Sequence, residues 1–152
     1  MSHLRETDAD RRKEDEVARL LAAAWNCEPI RTRDQSRVDT LFMRNKSLVA
    51  VAEIKARRNR LFATFPSVQL NLQKWFSLVQ FEMAAEVPAF MVFAFDDGIY
   101  YVRAATIQIG QCRLSVRGRT DRPGIDERQP VIEIGNLLWK RLREPAAEGL
   151  SR

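Results

Sequence analysis

The chain has 152 residues, enough for one domain with a single sizeable core, and its 45% hydrophobic and 30% charged residues are ordinary for a globular protein. A net charge of +5 and a pI near 9.7 tilt the choice of partner toward polyanions, and no apolar run reaches membrane-spanning length. The single histidine, His3, excludes a histidine general base and a His/Cys zinc cluster, while the distant Cys27 and Cys112 read as free thiols.

Residues 1–10 are polar and are expected to form a tail, followed by one domain over 11–144 and a second tail over 145–152. The spacing of Val17, Leu20, Leu21, Ala24 and Trp25 predicts a helix over about 11–25, capped by Asp8 or Asp10. Glu14 lies one turn before Val17 at the edge of this stripe, and Glu16 lies further round toward solvent. A polar connection follows, with a short strand around 28–31 and a run of positive charge from Arg31, Arg33 and Arg37.

Residues 37–43 and 48–55 read as two strands of a hairpin, turning at Arg44-Asn45-Lys46-Ser47. The second strand is an apolar run that suddenly carries an acid and a base, Glu53 and Lys55, on one face, with Ala52 and Ile54 on the other. With a loop over 45–47, Asp39 falls directly opposite Glu53, while Val38, Thr40 and Phe42 meet Ile54, Ala52 and Ala50 in a core layer. A plain two-residue loop would send the two carboxylates to opposite faces, so the pattern predicts an odd loop or a bulge. Opposed carboxylates repel unless a positive charge lies between them, and hard oxygen ligands suit Mg²⁺ or Mn²⁺.

The strand is followed at once by Arg57, Arg58 and Arg60, a cluster suited to a phosphate backbone. Phe62 and Phe65 stand in the next loop, where they would stack on a base, pack against a partner subunit or pack against the chain's own helix. A second helix is expected from Ser67 to about Ala85, with Leu72, Trp75, Phe76, Val79 and Met83 inward and Gln69, Gln73 and Lys74 on its surface. Residues 89–95 are nearly continuous apolar sequence and predict a central strand, parallel to the Glu53 strand and reached by a right-handed crossover. Asp96-Asp97-Gly98 reads as a tight turn rather than a metal site, with an antiparallel strand over 99–103 after it. Short strands are expected at 112–116 and 131–134, separated by a basic loop at 117–124, with a last helix over 137–143 that buries Leu138, Trp139 and Leu142.

Asp39, thirteen further residues and then Glu53-Ile54-Lys55 resemble the PD-(D/E)XK motif of the restriction-endonuclease-like nuclease superfamily. Val38 stands where the motif has Pro. The order helix, hairpin, helix, strand over residues 10–105 is also that of the superfamily, and within it the chain is most similar to small phage or prophage-type nucleases and Holliday-junction resolvase-like proteins. The resemblance implies an α/β fold with a restriction-endonuclease-like core, a central mixed sheet flanked by helices. It also implies a metal-dependent nuclease acting on DNA, with Asp39, Glu53 and the Ile54 carbonyl holding Mg²⁺ or Mn²⁺ and Lys55 serving the water. An acid from the first helix often joins the metal site in such proteins, and helical phase favours Glu14 over Glu16. A Lys or Gln of the second helix often lies near the scissile phosphate. Lys74 is the first choice there, since related sequences carry a pair like Lys74-Trp75, with Gln69 and Gln73 as alternatives.

The expected DNA contacts are Arg37, Arg57, Arg58, Arg60 and Lys74. A homodimer would let so small a nuclease cut both strands, and a cytoplasmic location is expected. Two other readings fit the same scaffold: a non-catalytic nucleic-acid-binding module, and a phage-type assembly protein in which Asp39 and Glu53 only form salt bridges.

Overall fold

The structure, a computed structural model, describes residues 7–32, 38–118 and 128–143. Its longest strand carries Glu53 and Lys55. The alternation predicted for the hairpin produces β2 (Thr40–Arg44) and β3 (Ser47–Arg57), paired antiparallel. The turn has two residues, Asn45 and Lys46, both at left-handed φ (49° and 68°), as the twist of a tight hairpin requires. A bulge compensates. Phe42 faces Ala50 but Met43 faces Leu48, leaving Val49 as the extra residue. Beyond the bulge, Thr40 faces Ala52, the register that sends Asp39 toward Glu53.

Around this hairpin six strands run in the order β1 (Glu28–Arg31), β2, β3, β5 (Ala89–Phe95), β6 (Gly98–Arg103) and β9 (Lys140–Arg141). β3 and β5 are parallel and the other neighbours antiparallel, a mixed sheet. The chain between β3 and β5 passes through β4 (Ser67–Asn71) and α2 (Leu72–Ala85). A smaller sheet has the order β4, β8 (Gln129–Gly135), β7 (Arg113–Arg117).

The two faces of the large sheet have separate cores. On one, α1 (Asp8–Ala24) lays Val17, Ala18 and Leu21 against Phe42, Ala52, Ile54 and Val92. On the other, α2 and the small sheet bring Leu78, Leu70 and Ile132 to Val51, Met91 and Phe93. Burying whole aliphatic and aromatic side chains at about 1.5–3 kcal/mol each makes these two clusters the main source of stability. Glu53 and Lys55 share the α2 face with Val51, as their period-two spacing requires.

Four expectations change. The N-cap of α1 is Thr7, one residue before Asp8, in a reciprocal capping box with Asp10, so the helix begins inside the stretch expected to be a tail. Ser67–Asn71 is a strand rather than the start of a helix, so Gln69 sits on β4. Val68 and Leu70 alternate with polar neighbours and pair with β8, and Asn71 is the true cap, accepting from the Gln73 and Lys74 amides. This rotates α2, leaving Phe76 (53% exposed) and Met83 (76%) outward while Leu78 turns inward. Finally, the helix expected over 137–143 is a 3₁₀ turn, Asn136–Leu138, followed by β9. Trp139 and Leu142 are buried in different cores, on opposite sides of the sheet, as an extended chain places them, and Leu138 is exposed.

The Asp96-Asp97-Gly98 segment is a turn, and the Asp97 carboxylate accepts the Phe62 and Ala63 amides at 2.8 and 3.2 Å, which anchors the 3₁₀ turn Phe62–Thr64. Cys27 and Cys112 are free thiols. Arg37, most of the basic loop and the expected tails over 1–6 and 145–152 lie outside the described residues.

Candidate active site

β3 outruns β2. Its pairing with β2 stops at Ala52, yet β3 continues to Arg57. Two amides on that side, those of Ile54 and Ala56, therefore have no strand partner among the described residues, and buried amides without partners are costly. Two carboxylates satisfy them. Asp39 Oδ2 accepts from the Ile54 amide at 3.1 Å, and Glu14 Oε2 accepts from the Ala56 amide at 3.4 Å. In a strand the N–H and C=O of one residue point the same way, so the Ile54 carbonyl faces this open edge too. Asp39, Glu14 and the Ile54 carbonyl thus meet at the end of the hairpin, with Glu14 only 3% exposed.

Glu53 is also 3% exposed. Its Oε2 is met by Lys55 Nζ at 3.6 Å and by Lys74 Nζ at 3.5 Å. Lys74 lies on the first turn of α2, which Asn71 caps. Asp39 is close enough to feel the charge of Glu53. Burial first, and then that charge, raise the Asp39 carboxyl from its ordinary 3.8 to about 6, against the opposing pull of the Ile54 amide, Arg31 and the Thr40 hydroxyl.

Arg31, expected only to add positive charge before Asp39, joins the site. On β1 it faces Thr40, the neighbour of Asp39. Its guanidinium lies 2.7 Å from Asp15, 3.4 Å from Glu14 and 3.9 Å from Asp39. The signal was local: a basic residue at the end of a short strand that must pair beside the Asp39 strand.

The basic residues after β3 separate. Arg57 lies over the Phe93 ring at 5.0 Å, and Arg60 over the Phe65 ring at 5.5 Å. Arg58 turns the other way and binds Asp10 at 2.8 Å and Thr7 at 3.3 Å, which ties the start of α1 to β3. Gln73 is exposed on the first turn of α2, and Glu16 is taken up by Lys13 on the surface of α1.

Among the described residues no three Asp, Glu, His or Cys side chains already stand as a metal cluster. The chemistry of the donors nonetheless fits a hard divalent cation. Asp39 is half-buried and Glu53 buried, and the charge of Glu53 acts on Asp39; carboxylate and carbonyl oxygens are the donor type that Mg²⁺ and Mn²⁺ prefer.

A hairpin ending in an acid, an acid and a lysine on one face of the next strand, and a parallel strand reached through a helix define a restriction-endonuclease-like core. The family described as "Phage putative PDDEXK endonuclease" matches residues 3–142, and the chain belongs to that family. This makes it a nuclease, with nucleic acid as its substrate. Among solved structures it is similar to Hjc, a Holliday junction resolvase from the archaeal hyperthermophile Archaeoglobus fulgidus. The two share 14% identity over 83% of this chain and 86% of that one, with a TM-score of 0.49. No curated protein matches the chain. No helix among the described residues is long and apolar enough to cross a membrane.

Proposed function

We propose that the chain hydrolyses phosphodiester bonds in DNA with Mg²⁺ or Mn²⁺, using Asp39, Glu53 and Lys55. The observation that carries this reading is the geometry at the end of β3, where Asp39 accepts from the Ile54 amide and the buried Glu53 is met by Lys55 and Lys74. The two lysines of the site lie on Glu53, while among the described residues Asp39 has only the shared Arg31 at 3.9 Å, and perturbed carboxylates of this kind cluster at functional sites. Asp39, Glu53 and the Ile54 carbonyl would hold the cation, with Glu14 as a further acid once Arg31 releases it. The cation supplies a more acidic bound water and offsets charge on the phosphate. Lys55 orients the attacking water and balances negative charge developing on the phosphate. Lys74 neutralises Glu53 in the free protein and turns to the phosphate when DNA is present. Arg57 and Arg60 hold the strand next to the site. Arg58, committed to Asp10, contributes to the fold of this corner and is the weakest of the expected DNA contacts.

The test is cleavage of plasmid, single-stranded and branched DNA with Mg²⁺ or Mn²⁺, with EDTA, and with Glu53→Gln in parallel. Metal-dependent cutting that the variant lacks supports the reading. Cutting by Glu53→Gln at the parent rate would sink it, and metal-independent DNA binding without any cutting would leave a binding module.

A further inference from the structure

Beyond the acids, the same face of β3 opens into a cleft of about 620 Å³ between the large sheet and the small one. Arg57 lines it, two residues past Lys55 on the same face, so about 6–7 Å along the strand. Asn71 lines it as well, and Asn71 caps the helix whose Lys74 touches Glu53. The cleft therefore begins two residues along β3 from Lys55 and at the cap of the helix that carries Lys74.

Its walls combine two chemistries. Phe62 and Phe95 form an aromatic floor, and Phe62 is fixed there by parallel stacking on Tyr100 at 3.8 Å. Phe65 is different. It lines the cleft, remains 48% exposed and is touched by a guanidinium rather than by another ring. The rim carries Arg57, Arg60 and Arg117 against a single acid, Glu133. Among the described residues none of these three arginines has a carboxylate within ion-pair distance. Burial first, and then the charge of Arg60, pull the Arg57 guanidinium below its ordinary value, against the opposing charges of Glu14 and Asp10.

We propose that this cleft holds an unpaired nucleotide of the DNA strand entering the active site, with its phosphates on Arg57, Arg60 and Arg117 and its base on Phe65. The proposal rests on the nuclease reading for the direction of the strand. A fully paired duplex keeps its bases stacked inside and offers the cleft only its backbone, whereas an unpaired base presents a π face. Alternating aromatic and arginine groups are the means by which proteins bind single strands without reading their sequence. The substrates this favours are DNA with a single-stranded segment next to the cut, such as flaps, overhangs or open branch points.

The test uses a single-stranded DNA 12-mer with one 2-aminopurine, the same sequence as a full duplex, and an RNA 12-mer. All are titrated with the whole chain in EDTA, so that no cleavage occurs. The single strand is expected to bind more tightly than the duplex and to lose 2-aminopurine fluorescence through stacking. Phe65→Ala is expected to lower the ratio of single-strand to duplex affinity about tenfold, and Phe65→Tyr to retain it. Phe65 is exposed, so neither variant removes a core contact. Equal binding of both DNA forms, an unchanged ratio in Phe65→Ala, or tighter binding of the RNA overturns the proposal. Failure of the nuclease reading would be seen separately, as no cleavage of any substrate with metal, and would leave the binding ratio as measured.

Discussion

Two carboxylates in this fold have nearly the same partners and opposite characters. Glu82 on α2 accepts from the Ala89 amide at the start of β5 and from the Arg103 guanidinium, which reaches both of its oxygens. Asp39 accepts from the Ile54 amide and has Arg31 nearby. Burial pushes Glu82 upward, but the Arg103 hydrogen bonds, the Ala89 amide and the Arg103 charge outweigh it and hold the carboxyl below its ordinary 4.5. Asp39 instead rises to about 6. Arg103 serves Glu82 alone, whereas Arg31 is shared with Glu14 and Asp15 and only approaches Asp39, and Glu53 adds a second negative charge. One pair is balanced and holds α2 to the sheet. The other leaves Asp39 poorly compensated, because the lysines of the site lie on Glu53.

The largest effect that would break this comparison is on catalysis. Glu53→Gln is expected to reduce metal-dependent cleavage by about 10²–10³-fold or more, whereas Glu82→Ala should cut close to the parent rate in the same assay. Next is the sign of the stability change. Between pH 3.8 and about 6 the folded chain keeps the Asp39 proton while the unfolded chain has lost it, so stability falls as pH rises through that window. Above it the full cost is present. Asp39→Asn should therefore lose cleavage and yet be more stable than the parent by about 1–3 kcal/mol at pH 7.5 without metal, measured by urea unfolding. A destabilised Asp39→Asn would show that the carboxylate is balanced after all. Metal affinity of the parent should weaken as pH drops through about 6, where protons compete for the ligand.

Glu82→Ala should behave oppositely, losing about 1–2 kcal/mol at pH 7.5, since one amide loses its acceptor and one half-exposed arginine its partner. Because the Glu82 carboxyl is held low, its contribution is present above about pH 4.5 and disappears as pH falls through its lowered value. The smallest effect belongs to Lys74→Ala. Its contact with Glu53 is partly exposed, so stability should change by less than about 1 kcal/mol, while the salt dependence of DNA binding should lose about one unit of slope. An unchanged slope would remove Lys74 from the phosphate contacts.

The parts of the fold readable in advance were those where period and partner agree. Glu53 and Lys55 alternate with Ala52 and Ile54, and the charge pattern required Asp39 on the matching side, so an odd loop or a bulge followed; the chain uses the bulge, at Val49, with a two-residue turn in place of the loop over 45–47. Ser67–Asn71 was misread because a serine before an apolar run imitates a cap, while the strand that makes this segment extended, β8, lies some sixty residues away. The same holds for β9, whose pairing with Tyr100 and Tyr101 decides its conformation. Arg31 was visible only as charge, since its partners come from α1 and from the approach to β2. Arg58 shows the converse, a basic residue in a promising run that a capping acid of α1 had already claimed.

The unpartnered end of β3 has a consequence for solubility. A strand edge with free amides is a template on which another chain can add itself, and Asp39 and Glu14 cover the two amides that would begin such an addition. The acids assigned to the cation are thus also guards against self-association. Replacing both by alanine should uncover the edge and produce oligomers or aggregates visible by light scattering, whereas Asp39→Asn with Glu14→Gln keeps an acceptor at each amide and should scatter as the parent does.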